Sequence, residues 1–103
     1  MPIVVAHGEG RAEYRSEDKT AISRGACLRY VDAGGKPSEK YPINPNGSAG
    51  GLTGFTNEDG RFTIMMPHPE RVIRSIQMSW QNSDWGEESP WMMMFRNARV
   101  WVD

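Results

Sequence analysis

Only two leucines occur in the 103 residues, and with isoleucine, valine and phenylalanine they total 17. That share lies below the ~20% under which a packed core becomes doubtful. The usual companion of disorder, a large net charge, is also missing. Twelve Lys and Arg stand against 13 Asp and Glu, for a formal charge of -1. This balance argues against a nucleic-acid binder held by bulk charge, and no cluster of basic residues is interleaved with aromatic platforms. A single cysteine, Cys27, allows no internal disulfide, so nothing points to an oxidising compartment. No apolar run approaches the ~20 residues that a membrane helix needs. The opening Met1–Ala6 is too short and too uncharged for a secretory signal, so a cytoplasmic location without membrane attachment is expected. What is present is unusual apolar bulk: seven methionines and four tryptophans. The composition reads as a folded chain whose own core is thin and open to completion by something outside these residues.

Along the chain, Pro2–Ala6 is a short Ile/Val-rich run stopped by His7-Gly8-Glu9-Gly10, the pattern of a buried strand. Arg11–Ser23 is polar and shows no period. Ala26–Asp32 alternates, with Leu28 and Tyr30 on one face and Cys27, Arg29 and Val31 on the other, followed by a Gly-Gly turn. From Tyr41 to Gly54, prolines, glycines and asparagines crowd together and predict a loop. Leu52–Thr56 and Arg61–Met66 flank Asn57-Glu58-Asp59-Gly60, a hairpin signal. Val72, Ile73, Ile76 and Trp80 recur at helical spacing. A last helix is expected after Ser89 as N-cap and Pro90 at its first position. Its stripe of Trp91, Met94, Phe95, Ala98 and Trp101 or Val102 reads as core packing rather than a ligand box. No domain boundary is visible.

The strongest chemical feature is His68-Pro69-Glu70 at the end of the Arg61–Met66 run. In an extended segment, residues i and i+2 project to the same side. An imidazole beside a carboxylate is the base-plus-orienter half of a nucleophilic triad. A surface histidine with a fortuitous neighbour is the simpler reading of the tripeptide alone. No nucleophile elbow of the Gly-x-Ser-x-Gly kind is present. Cys27 sits inside a predicted strand between Ala26 and Leu28, with no glycine pair around it, and reads as a small buried apolar residue. Ser48 follows a loop rather than a strand. His7 and Glu9 with His68 and Glu70 offer an unspecific metal set, and that alternative stays open.

The chain resembles the C-terminal end of the phosphoribosylformylglycinamidine synthase family, in its large single-chain form. The resemblance is carried by Pro2–Arg11, Leu28–Asp32, Tyr41-Pro42 with Asn44–Ser48, Asp59–Arg61 and Thr63–Arg71. It continues through Asp84–Glu87, Pro90–Met92 and Phe95–Arg99. It implies an α/β fold: the C-terminal portion of a class I glutaminase-like open sheet, mostly strands and a hairpin followed by two helices. It also implies a Cys-His-Glu triad that hydrolyses glutamine and passes ammonia to a synthetase domain. On that resemblance His68 is the triad base and Glu70 its orienting carboxylate. The nucleophile would lie in an upstream half that residues 1–103 lack, so the chain alone is expected to be inactive. No cofactor is implied for these residues, ATP and Mg2+ belonging to the synthetase part. The implied partners are glutamine, the upstream half and the synthetase domain. The Asn44–Ser48 loop is left with three roles: a synthetase contact, a wall of the glutaminase pocket, or a turn. A non-enzymatic α+β interaction module or dimeric remnant is the other class of reading.

Overall fold

A computed structural model describes residues 1–6 and 10–103. It is a small α/β structure with an open three-stranded antiparallel sheet and two helices. Its contacts gather into two units, residues 7–66 and residues 1–6 with 67–103. The sequence showed no such division. It falls where Pro67 and Pro69 end ladder pairing after the hairpin, and from there the backbone bonds to residues 86–89 instead.

The first unit holds the sheet. Strand β1 (Ala26–Arg29) pairs antiparallel with β2 (Leu52–Thr56), and β2 with β3 (Thr63–Met65), in the order β1-β2-β3. The predicted alternation in β1 is present: Leu28 is half-buried and Tyr30 buried, while Cys27, Arg29 and Val31 are exposed. Exposure of Cys27 corrects its reading as a buried apolar residue, because its face of β1 is the uncovered one. After the strand, Asp32 Oδ1 accepts the amides of Gly34 and Lys36 and closes the expected turn. The hairpin joining β2 to β3 is also as expected. Asn57 Oδ1 accepts the Phe62 amide and Asp59 Oδ1 that of Arg61, so side chains of the turn itself fix its course.

Two glycines permit this sheet. At Gly54 a Cβ would lie 2.9 Å from Leu28, which packs across the strand. Gly51, with φ of 69°, approaches the Tyr30 carbonyl so closely that a Cβ would sit 2.8 Å from it. Helix α1 (Lys19–Gly25) precedes β1 and lies against β2. Only Ile22 gives it a half-buried apolar side chain of any size, which is why no period announced it. Among the described residues, the buried apolar side chains of this unit are Ala12, Tyr30 and Leu52.

In the second unit, helix α2 (Met92–Val102) begins two residues later than Ser89-Pro90 signals, with Trp91 rather than Ser89 as its N-cap, because Pro90 and Trp91 form a turn ahead of it. The Met92, Met93 and Met94 amides first donate three residues back, to Ser89, Pro90 and Trp91. Trp91, 8% exposed, is buried and donates from Nε1 to the Pro2 carbonyl at 2.8 Å. The rest of the apolar stripe is not core. Phe95 is 39% and Trp101 67% exposed, and α2 has no buried residue among the described ones. Periodicity marks an apolar face but not its cover, and no described element of this unit covers this one.

Two further expectations fail on hydrogen-bond grounds. Pro2–Ala6 is not a strand, since strand composition alone does not supply the hydrogen-bonding ladder a strand needs. Residues 69–80 form 3-10 turns at Pro69–Val72 and Ser75–Gln77 rather than a helix. Between them Arg74 is extended and bridged to Glu88, while the Ser75 amide donates to Glu87 and the Ser89 amide to Ile73. These bonds draw the segment straight. Ile76 and Trp80, meant for a helical face, are left 81% and 61% exposed.

Candidate active site

His68 and Glu70 lie together. The imidazole Nδ1 is 2.9 Å from Glu70 Oε1, with both side chains about half exposed. The route differs from a simple extended segment. His68 is extended, with φ of -107° and ψ of 92°, and caps the 3-10 turn Pro69–Val72. Pro69 takes the first turn position, where its missing N–H costs nothing. The Arg71 amide closes the turn on the His68 carbonyl at 3.1 Å. Buried Pro69 and Val72 anchor the turn, so Glu70 is held out beside the imidazole of its own cap residue.

The electrostatics fix the state of the carboxylate. The Glu70 carboxyl is held below its ordinary range, first by its own backbone N–H and then by the hydrogen bond from His68. It is therefore a carboxylate at neutral pH and can only accept. Nδ1 is therefore the donor of this bond, and in the neutral imidazole the lone pair lies on Nε2, the atom that acts as a base in such pairs.

The groups that could serve as nucleophile do not fit that role. Although Cys27 is exposed overall, partial desolvation pushes its thiol up, the wrong direction for a reactive thiolate. Ser48 is fully buried and its hydroxyl is committed, donating to Asn46 Oδ1 at 2.8 Å and accepting the Ala12 amide at 3.0 Å. For the metal alternative, no three His, Cys, Asp or Glu side chains are gathered for a cation among the described residues. His7 and Glu9 lie outside them.

The Asn44–Ser48 loop is a closed hydrogen-bonded cluster. Asn44, 2% exposed, donates from Nδ2 to the carbonyls of Ser38 and Ser48, and its Oδ1 accepts the Ser48 amide. Asn46 donates from Nδ2 to the Gly10 carbonyl. The loop thereby fastens residues 10–12. Composition marked a loop but gave no sign that its polar side chains would be buried and satisfy one another. Ser75 and Ser89, which brace the turn below His68, were likewise missed as site residues. Only the Ser-Pro helix start drew attention to Ser89.

Residues 1–102 match the family model of the CobB/CobQ-like glutamine amidotransferase domain. The chain belongs to that family. The match supports glutamine-dependent amidotransferase chemistry in general. No helix among the described residues is long and apolar enough to cross a membrane.

Proposed function

We propose that the chain is the C-terminal half of the glutaminase domain of phosphoribosylformylglycinamidine synthase, in its large single-chain form. The observation that carries the catalytic part is the 2.9 Å bond from His68 Nδ1 to the Glu70 carboxylate. The motif-by-motif resemblance over the chain supports the particular enzyme. In this reading a cysteine of the upstream half gives its proton to His68 Nε2, and the thiolate attacks the glutamine side-chain carbonyl. The imidazolium returns the proton to the leaving nitrogen, which departs as ammonia, and water hydrolyses the thioester to glutamate. Glu70 holds the tautomer and stabilises the imidazolium. The ammonia serves an ATP- and Mg2+-dependent synthetase domain that amidates formylglycinamide ribonucleotide in cytoplasmic purine biosynthesis. These residues themselves hold no cofactor, and neither nucleic acid nor membrane is a partner.

The 103-residue chain alone should release no glutamate from glutamine. Release that survives Cys27→Ser would reveal another nucleophile, and release lost with Cys27→Ser would make Cys27 the nucleophile. Either result would overturn the assignment of the thiolate to upstream sequence. The exposed apolar side chains of α2 favour a second reading, a dimeric interaction remnant. Light scattering decides it, since a stable dimer that protects these side chains would support it.

A further inference from the structure

The turn that carries His68 and Glu70 is fastened at its far end by serines. Ser89, 2% exposed, donates its hydroxyl to the carbonyl of the fully buried Val72 and accepts the Trp91 amide at 3.2 Å. Its own amide donates to the Ile73 carbonyl at 2.8 Å. Two residues on, Ser75, 3% exposed, donates its hydroxyl to the Gly86 carbonyl at 2.7 Å, and its amide bonds to Glu87. One hydroxyl thus ties the last residue of the Pro69–Val72 turn to Trp91, the N-cap residue of α2.

We propose that Ser89 is a positioning residue for the His68–Glu70 pair. This rests on the reading of His68 as a base. A four-residue 3-10 turn does not sustain itself, because so short a segment has too few internal bonds to offset the cost of ordering it. Here the Arg71 amide closes the turn at its start and the Ser89 hydroxyl holds it at its end. Glu70 lies between these two points. Its carboxylate meets the imidazole only while the torsions of the turn hold cap and second turn residue at one spacing. Removing the hydroxyl leaves the Val72 carbonyl and the Trp91 amide without their side-chain partner. The turn then relaxes toward other acceptors, and the carboxylate swings with it. Ser75 supports the same segment from the other side of Ile73, but its hydrogen bonds go to Gly86 and Glu87 rather than to the turn itself.

The readout is the tautomer of His68, which a merely structural serine would not alter in molecules that remain folded. The chain has two histidines, so nitrogen-labelled imidazole signals are assigned with a His7→Gln variant. In the unaltered chain the neutral imidazole should carry its proton on Nδ1. In Ser89→Ala the ratio should move about tenfold toward the Nε2–H form, the change expected from losing one net hydrogen bond. Ser89→Cys keeps the volume with a weaker donor and should move the ratio the same way by less. It serves if the alanine variant does not fold. Near-ultraviolet dichroism of the tryptophans reports folding. An unchanged tautomer ratio in either variant, with native tryptophan signals, overturns the proposal. A His68→Ala complete enzyme that still hydrolysed glutamine would sink the reading of His68 as base but leave this measurement standing, so the two fail separately.

Discussion

Replacing Ser48 by alanine tests whether the Asn44–Ser48 loop is held by its own polar groups. Alanine keeps the backbone bonds of residue 48, to both Asn44 Oδ1 and Asn46 Oδ1 and from Asn44 Nδ2. It removes two others, the hydroxyl donation to Asn46 Oδ1 and the acceptance of the Ala12 amide. The site is fully closed to solvent, so water cannot replace the lost acceptor. A buried donor left unpaired costs about 1–3 kcal/mol, and the lost hydroxyl bond adds roughly 0.5–1.5 kcal/mol. The expected loss is therefore about 1.5–4.5 kcal/mol. With a urea dependence of about 1 kcal/mol per molar for so small a chain, the midpoint falls by at least about 1.5 M. Urea unfolding followed by far-ultraviolet dichroism gives the midpoint, and hydrogen exchange gives the protection of the Ala12 amide. Exposed Ser23 is the control, and its alanine variant should stay within about 0.5 kcal/mol of the parent. A Ser48→Ala midpoint no lower than the control, with Ala12 still protected, would refute the loop as a load on its own hydroxyl.

Further outcomes follow from single positions. Gly51→Ala should cost more than about 1 kcal/mol in the same unfolding measurement, since φ is 69° and the new Cβ would lie 2.8 Å from a backbone carbonyl. Gly60→Ala shares the positive φ but meets nothing within 4 Å, so it should cost less; equal costs would remove the steric argument. For Glu70 the native carboxyl is held below its ordinary value of 4.5. A lowered native value means that the unfolded chain binds this proton first as pH falls. Its stabilisation is therefore complete above 4.5 and is lost as pH falls through the lowered native value. Glu70→Gln should make stability less pH-dependent in that window, and an unchanged slope would show that the carboxylate gains nothing from folding.

Much of the sheet was legible because its signals are local. The alternation of Leu28 and Tyr30 against Cys27, Arg29 and Val31 is a property of one strand, and the Asn57–Gly60 turn carries its own hydrogen-bonding side chains. The start of α2 was legible from Ser89-Pro90 to within two residues, the helix beginning at Met92 with Trp91 as its N-cap. What failed depended on partners. Pro2–Ala6 has strand composition, but a strand exists only where another offers a ladder. Val72, Ile73, Ile76 and Trp80 have helical spacing, yet Ser75 and Ser89 bind this segment to residues 86–89 and prevent the helix. The α2 stripe was found correctly as a stripe and wrongly as core. The pair His68 and Glu70 was legible by position, two residues apart behind a proline. Its geometry was not, because the 3-10 turn that joins the two depends on burial of Pro69 and Val72 and on a serine nearly twenty positions downstream.

The central claim is that His68, braced by Glu70, is the base for a thiol delivered by other residues. It is tested most directly in the complete enzyme, with His68→Ala and glutamine-driven and ammonia-driven synthesis measured side by side. Glutamine-driven synthesis should fall by at least about a hundredfold, the lower end of what a positioned base contributes, while ammonia-driven synthesis is retained. Retention of both rates, or loss of both in a folded variant, would contradict the role given to this imidazole.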